Sequence, residues 1–438
     1  MSKKVGIGKG NIPIEKEFAR RIEDGKIIKE LPYVIYDGEL VSLFSVVHPT
    51  TCIICGAKLY IDQYWNRYIL SSFGILEIPV IYWVCSNDTC NSHYHDEIIG
   101  VTGSKNYSNE YLDKQFYTRY KGKCSLFNNR TVGEIYTSDG GYEGRAACPT
   151  TLWKYEQVKG TFSIEELRNT DIDFDGTIHC DGYWVKEGWR KFIEMQLGRE
   201  LTNKEWKKLR YKIIYVIATN DKVILDFEIT DIQPSYISLI PLFSRVKIRL
   251  GEENIKKVVS DEDSAIIGAV NSVLPNTIHS FCVFHQLTHL TKLYLDDFKS
   301  LEKVPYWDKV FYKIAQELIL ADNTIISTIK LQELRSMLKD QYLTTTSETA
   351  REFMEEVYKK NKKILMSGFV PETNNVMEQL FSFINDFVYQ IKSFKLLTGL
   401  KNWASNMFLI WNTREFNTGN YRGLSPLDIW EYKYSGIS

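Results

Sequence analysis

The chain has 438 residues, of which 44% are hydrophobic and 25% are charged, as in a globular protein of two to four domains. It has no apolar run long enough to span a bilayer and no apolar signal core at its N-terminus. The sequence therefore excludes a membrane-spanning protein and predicts a cytoplasmic location. The net charge of −1 leaves nucleic-acid binding open, because such binding depends on local basic surfaces.

Four of the eight cysteines lie close together in sequence. They form a C-x2-C pair and a C-x4-C pair: Cys52, Cys55, Cys85 and Cys90. Two strand-like runs, Lys58–Ile61 and Ile75–Val84, lie between the pairs. Two cysteine pairs separated by a β-hairpin predict a zinc ribbon at residues 49–100, in which four thiolates bind one structural Zn²⁺. His93 or His95 could replace a cysteine of the second pair, and four unligated cysteines in a small β domain are the alternative.

Residues 101–165 have a helical pattern, whereas residues 1–48 suggest no role. Three candidate helices follow one another, with a Gly-rich turn at Asp139–Gly144 before the third: Glu110–Tyr120, Thr131–Tyr136 and Pro149–Gln157. A Gly-containing turn followed by a helix with Thr and Lys near its start is typical of a helix-turn-helix. We therefore predict DNA contacts from three residues of this helix: Thr150, Thr151 and Lys154. A three-helix bundle of another function would have the same pattern.

A strand-rich block at residues 166–286 predicts a mixed α/β domain. Its candidate strands are Thr177–Cys180, Lys212–Thr219, Val223–Thr230, Lys256–Ser260 and His279–Val283. Helices are predicted at Tyr236–Leu250 and Ser264–Leu274, the second with apolar residues on one face: Ala265, Ile266, Ala269, Val270 and Val273. Three antiparallel strands, then helix, strand, helix and strand, is the order of a ribonuclease H-like fold, a mixed five-stranded sheet with helices on both sides.

Three further segments have distinctive composition. Lys186–Lys212 contains nine Lys or Arg and four Glu, which suits either a nucleic-acid surface or a solvated helix face. Leu287–Lys363 is predicted to be helical throughout, as an insertion at residues 287–365. Residues 366–438 complete the chain and include an aromatic-rich helical stretch, Lys392–Trp411.

Three acidic residues are candidates for one metal site. Asp181 follows the first strand, Asp261 follows the fourth, and Glu378 lies in the helical stretch Thr373–Ser382, which has no structural need for a carboxylate at that point. Phosphodiester hydrolysis and strand transfer can be catalysed by two Mg²⁺ ions about 4 Å apart, bound by a few carboxylates. Asp263 competes with Asp261, because either could cap the following helix. Three earlier aspartates compete with Asp181: Asp171, Asp173 and Asp175.

These residues resemble those of DDE transposases of the Mutator-like type and of their bacterial and archaeal insertion-sequence relatives. Around Asp261 the chain reads V-V-S-D-E-D-S-A-I, with Pro275 after the helix and C-V-F-H at Cys282–His285. Around Asp181 it reads I-H-C-D-G-Y-W. The stretch around Glu378, T-N-N-V-M-E-Q-L-F-S, is similar to the segment that carries the catalytic Glu of that family.

The resemblance covers about residues 178–426 and implies a ribonuclease H-like core interrupted by an all-helical insertion. It implies that two Mg²⁺ or Mn²⁺ ions are bound by Asp181, Asp261 and Glu378. It also implies that Cys282 and His285 support the site and that Trp307, the Trp of the insertion, contacts DNA. A buried Cys, a capping His and ordinary helix packing of the Trp are the alternatives.

The sequence thus predicts a transposase that binds the terminal inverted repeats of a mobile element through residues 50–160. It would cleave double-stranded DNA and join the freed 3′-hydroxyl to target DNA, acting as a homodimer or larger assembly at the nucleoid. Two other functions are compatible with the same residues. One is a catalytically silent or domesticated DNA-binding regulator, and the other is a different ribonuclease H-fold nuclease.

Overall fold

A computed structural model of the chain describes residues 5–6, 20–21, 33–36, 39–72, 74–102, 106–138, 146–186, 188, 190–339, 347–391 and 394–434. The chain divides into two compact units, an N-terminal unit (Met1–Glu156) and a C-terminal unit (Gln157–Ser438). The finer division into six segments stays a prediction. Among the helices of the described ranges, none is both long and apolar enough to cross a membrane.

The N-terminal unit is built around a long β-hairpin. Its strands are β1 (Val5–Gly6), β2 (Arg20–Arg21), β3 (Tyr33–Tyr36), β4 (Glu39–Ser42), β5 (Val46–Val47), β6 (Leu59–Ser71), β7 (Gly74–Cys85), β8 (His93–His95) and β9 (Glu97–Ile98). β6 and β7 pair antiparallel, and β1, β2 and β8 extend their sheet. The hairpin predicted between the cysteine pairs is present, because alternate residues of β7, Leu76, Ile78 and Val80, enter the core of this unit.

Three helices follow the hairpin: α1 (Asn109–Gly122), α2 (Leu126–Ser138) and α3 (Pro149–Asn169). Ser108 caps α1 by accepting a hydrogen bond from the Tyr111 amide at 3.3 Å. α2 begins five residues before the predicted start, and α3 extends well beyond the predicted end at Gln157, past the proposed boundary at 165/166. The predicted turn Asp139–Gly144 lies outside the described residues.

The C-terminal unit contains the predicted mixed five-stranded sheet. Its strands are β10 (Thr177–Lys186), β11 (Tyr211–Thr219), β12 (Ile224–Asp231), β13 (Lys257–Ser260) and β14 (Ile278–Phe281). The order is β12-β11-β10-β13-β14, in which β10, β11 and β12 are antiparallel and β13 and β14 run parallel to β10. The predicted strand His279–Val283 was wrong at its end, because the chain turns at Cys282 and Val283 begins a helix.

The helices of this unit that follow α3 are α4 (Arg190–Leu197), α5 (Asn203–Leu209), α6 (Ile240–Leu250), α7 (Ser264–Val273), α8 (Val283–Phe298), α9 (Tyr306–Ile319), α10 (Thr324–Lys339), α11 (Ser347–Met366), α12 (Asn375–Ile391), α13 (Leu397–Thr413) and α14 (Pro426–Tyr434). Short 3₁₀ turns occupy Tyr236–Ser238, Glu252–Asn254 and Leu301–Lys303. The boundary proposed at 286/287 therefore falls within α8.

Helices cover both faces of the sheet. Ile178 and Cys180 of β10 pack in a core with α6 and α7, and the five apolar residues predicted for α7 are all buried there. Each buried Ile or Val stabilises the fold by roughly 1.5–3 kcal/mol. Because side chains alternate along a strand, His179 and Asp181 point to the opposite face, where α12 packs against β10. α13 covers β12 on that face, with Phe408 and Phe227 rings 5.1 Å apart.

The span from α8 to α11 forms a helical subdomain with its own core. That core includes Leu290, Phe311, Leu334 and Met354, one residue from each helix. Within the described part of residues 283–366 there are helices and no strand, as the sequence predicts. α11 also contacts β14, one of the two edge strands of the sheet.

Candidate active site and metal centre

Asp181 and Asp261 lie at matching positions along two neighbouring parallel strands, at the point where β13 ends beside β10. Cys180 of β10 pairs in parallel register with Ser260, the last residue of β13, so Asp181 within β10 and Asp261 just after β13 occupy equivalent positions. Neighbouring strands lie about 4.8 Å apart, which brings the aspartates together. Asp181 lies inside β10 and not at its end, because β10 continues to Lys186 while paired with β11 alone. Asp181 is 8% exposed, and Asp261 is half-buried.

Glu378 joins the two aspartates from the first turn of α12. Burial raises the pKa of Asp181 to about 7, and the negative charges of Asp261 and Glu378 add to this effect. Burial also raises the pKa of Asp261. One oxygen of Glu378, Oε1, is buried and has no hydrogen-bond partner in the described part of the chain. The three acids therefore share one electrostatic environment.

The three carboxylates are not closely packed. Their oxygens do not all lie within 4.8 Å of one another, a spacing that only the four cysteines discussed below meet among the described residues. Of the four competing aspartates, two accept structural hydrogen bonds and two are exposed. Asp263 is the N-cap of α7 and accepts a hydrogen bond from the Ala265 amide at 2.7 Å. Asp175 accepts one from the Thr177 amide at 2.8 Å in the turn before β10, and Asp171 and Asp173 are exposed.

Cys282 and His285 lie close enough to the acids for the charges of Asp181 and Asp261 to act on His285. Cys282 is fully buried at the N-cap of α8, and His285 is on the first turn of this helix. Hydrogen bonding with Cys282 raises the pKa of His285 to about 9, and the charges of Asp181 and Asp261 contribute to this shift. The raised pKa therefore favours an imidazolium cation at His285, facing the buried Asp181 and the half-buried Asp261.

Asn374 is a site residue whose role the sequence did not predict. It is fully buried immediately before α12. Its side-chain nitrogen lies 3.2 Å from Asp181 Oδ2 and 3.2 Å from the Cys180 carbonyl oxygen. Its side-chain oxygen lies 3.0 Å from His179 Nδ1, and its backbone amide donates to Cys282 Sγ at 3.2 Å. An Asn before a helical run signals an N-cap, but that signal does not distinguish Asn374 from Asn375.

The N-terminal unit contains a separate cluster of four cysteine thiols. The Sγ atoms of Cys52, Cys55, Cys85 and Cys90 all lie within 4.8 Å of one another, so the group could hold a metal ion such as zinc. The first pair lies on a tight turn, in which the Gly56 amide donates to the Cys52 carbonyl at 2.8 Å and Gly56 has a φ of 71°. His93 and His95 do not belong to the group.

One thiol of the cluster, that of Cys52, has a lowered pKa. The Tyr94 hydroxyl lies 3.1 Å from Cys52 Sγ, and this hydrogen bond lowers the pKa of Cys52 to about 6. A thiolate is the form that binds metal. Cys85 ends β7, and its sulfur lies 3.4 Å from that of Cys55. The hairpin therefore brings the second pair to the turn that carries the first.

The residues predicted to contact DNA lie at two helix starts. Thr150 and Lys154, near the start of α3, are exposed, whereas Thr151 is half-buried with its hydroxyl 3.2 Å from Cys148 Sγ. Trp307, on the first turn of α9, is 45% exposed and makes an edge contact with Tyr306. Their contact with DNA stays a prediction.

Neither a scan against protein-family models nor a search of curated proteins found a match to this chain.

Proposed function

We propose that the protein is a DDE-type DNA transposase whose catalytic carboxylates are Asp181, Asp261 and Glu378. The observation that carries this proposal is the convergence of three acids from two adjacent parallel strands and one helix. The strand order, the helices on both faces and the helical subdomain before Glu378 support a ribonuclease H-like core. The sequence resemblance supports the same assignment.

The donor set of the site fits Mg²⁺ or Mn²⁺. Both ions prefer oxygen ligands, and a buried carboxylate oxygen without a partner, Glu378 Oε1, is a suitable donor. A spacing wider than that of the cysteines suits two ions better than one, because two ions spread their ligands over a larger area. When bound, such ions activate a water or 3′-hydroxyl nucleophile and stabilise the leaving oxygen of the phosphodiester.

The chain itself prepares the site for cations and phosphate. Asp181 and Asp261 supply two carboxylates that can bind cations, and Glu378 supplies a third from the first turn of α12, which packs against β10. His285 is protonated at neutral pH and offsets part of this negative charge. Cys282 raises the pKa of His285 and accepts the Asn374 amide, so we assign it a supporting role.

Double-stranded DNA is the proposed partner, and a basic surface on α5, which contacts β11, supports this. Between β10 and β11 the chain forms α4 and α5, where Lys204, Lys207 and Lys208 are exposed. No carboxylate among the described residues pairs with them, whereas Glu205 is paired with Arg199. Phosphates would supply the missing negative charge. A helix-turn-helix at α2–α3 and a tetrahedral structural Zn²⁺ on the four cysteines complete the proposed DNA-binding apparatus.

The test is a cleavage assay on a plasmid that carries the DNA flanking the protein's own gene. We expect the purified protein to nick this DNA with Mg²⁺ or Mn²⁺ and to join the freed 3′ ends to a second plasmid. Glu378→Gln should bind the same DNA and cleave at least about 100-fold more slowly, since it removes one carboxylate ligand. Equal cleavage by Glu378→Gln would refute the assignment. Binding without cleavage by wild type would indicate a regulator, and cleavage without joining would indicate a nuclease.

A further inference from the structure

The side chain of Asn374 makes three hydrogen bonds to β10, the strand that carries Asp181. An amide has two N–H donors and one acceptor oxygen. Here the nitrogen reaches two acceptors, the Cys180 carbonyl and Asp181 Oδ2, and the oxygen reaches His179 Nδ1. A flipped amide would place its oxygen against two other oxygens, so the orientation of this side chain is fixed by its partners.

The carboxylate of Asp181 is held by a hydrogen bond to each of its two oxygens. Its Oδ1 accepts a hydrogen bond from the Gly182 amide at 2.7 Å, and its Oδ2 accepts one from Asn374. With one bond on each oxygen, the carboxylate plane has a single orientation, and each oxygen keeps a lone pair for another ligand. Such outer partners orient metal-binding carboxylates.

The backbone of Asn374 places Glu378 in the same way. The Glu378 amide donates to the Asn374 carbonyl at 3.2 Å, in the first hydrogen-bonded turn of α12. The Asn374 amide donates to Cys282 Sγ, which ties the start of α12 to the start of α8. One buried residue therefore connects the strand of Asp181, the helix of Glu378 and the helix of His285.

We propose that Asn374 is a positioning residue that sets the orientation of Asp181 relative to Glu378 for divalent-cation binding. This inference rests on the proposed function, because it requires the three acids to bind Mg²⁺ or Mn²⁺. It assigns no contact between Asn374 and DNA or cation. Its consequence is that loss of the Asn374 amide weakens cation binding even where the chain remains folded.

Asn375 provides a matched control. It is the same residue type, one position later, and it is exposed on the first turn of α12. Asn374→Ala removes the three side-chain hydrogen bonds to β10, and Asn375→Ala removes none of them. Asn374→Ser is the second variant, since it keeps a small polar side chain if the alanine variant does not fold.

The experiment measures Mn²⁺ binding and Mn²⁺-dependent cleavage at pH 8 on zinc-loaded full-length protein. We expect Asn374→Ala or Asn374→Ser to raise the Mn²⁺ concentration for half-saturation about 10- to 100-fold, the usual effect of losing an outer partner of a ligand. The KM for DNA should stay unchanged, and excess Mn²⁺ should restore part of the lost rate. Asn375→Ala should match wild type in every measurement.

A purely structural role would lower the melting temperature without changing the Mn²⁺ dependence of the folded fraction. That result, or wild-type Mn²⁺ binding in a folded Asn374 variant, overturns the inference and leaves the proposed function intact. An Asp181→Ala/Asp261→Ala double variant tests the proposed function itself. If this variant binds as much Mn²⁺ as wild type, the proposed function and this inference both fail.

Discussion

Tyr215 of β11 donates a hydrogen bond to Asp263 Oδ2 at 2.6 Å, while the other oxygen of Asp263 caps α7. Both oxygens of Asp263 are thus used within the fold. Among the described residues, the side chain of Asp261, two residues earlier, accepts only the Asp263 amide, at 3.2 Å through Oδ1. The pattern S-D-E-D presents two similar acids, and the structure assigns the structural role to the second of them.

Substitution should separate these two roles. We expect Asp263→Ala to lower the free energy of unfolding by about 2–4 kcal/mol, because it removes a helix cap and leaves the buried Tyr215 hydroxyl unpaired. Its cleavage activity should persist below the new melting temperature. Asp261→Asn keeps the oxygen that accepts the Asp263 amide, so we expect stability within about 0.5 kcal/mol of wild type and loss of cleavage. Urea unfolding and the plasmid assay measure both effects, and the reverse pattern would exchange the two assignments.

The burial of Asp181 should make stability depend on pH. Without added Mg²⁺ or Mn²⁺, the folded chain raises the pKa of this acid to about 7. Because the folded state then binds the proton more tightly than the unfolded state, stability declines as pH rises from about 4 to about 7. Asp181→Asn cannot ionise. Its amide nitrogen must face one of the two N–H donors that Asp181 accepts, which lowers stability by the same amount at every pH. We therefore expect the free energy of unfolding of Asp181→Asn to rise relative to that of wild type by at most about 4 kcal/mol between about pH 4 and about pH 8.

Calorimetry at several pH values tests this expectation. The difference between Asp181→Asn and wild type is the useful quantity, because other groups titrate in both proteins. Asp173→Asn removes an exposed carboxylate close in sequence, and its difference from wild type should stay flat. If the stability difference between Asp181→Asn and wild type stays constant from about pH 4 to about pH 8, the folded chain does not raise the pKa of Asp181.

Local patterns in the sequence were sufficient to predict the elements that carry the site. The apolar face of α7 predicts a helix, and the continuous apolar run of β11 predicts a buried strand. Both elements are present. Gly160 shows where such patterns fail. A glycine weakens a helix interior, and the predicted helix Pro149–Gln157 ends before this one. α3 continues because Gly160 packs against α13, where an added Cβ would lie 2.5 Å from Asn402 Cβ.

The candidate site was predictable only in part for a similar reason. Its acids follow or interrupt regular patterns, so Asp181, Asp261 and Glu378 are visible in the sequence. The role of Asn374 depends on partners 92 to 195 residues away in sequence. No local pattern contains such contacts, and the adjacent Asn375 has the same local signal. The structure is needed to distinguish the two.

The cysteine cluster should bind one zinc ion per chain. We expect a Cys52→Ser/Cys55→Ser double variant to lose the metal and to unfold the N-terminal unit at lower temperature, because metal binding to a closed four-thiolate site contributes directly to folding. His93→Ala/His95→Ala should keep the metal, since neither imidazole belongs to the cluster. Elemental analysis with thermal melting measures both. Zinc loss in the histidine variant would assign a ligand there, and a folded wild type without metal would exclude the site.

The exposed lysines of α5 should contribute to the salt dependence of DNA binding. Each phosphate contact releases about 0.9 counterion from double-stranded DNA, so removing one contact lowers the salt dependence of binding by that amount. We expect Lys207→Gln and Lys208→Gln each to reduce the slope of log K against log salt by up to about 0.9, regardless of DNA sequence. Lys401→Gln removes one exposed charge from α13 and should leave the slope unchanged. Binding measured by fluorescence anisotropy from about 50 to 200 mM salt gives these slopes. Equal slopes for all three variants and wild type would show that α5 is a solvated helix face, since charge that contacts no phosphate does not alter counterion release.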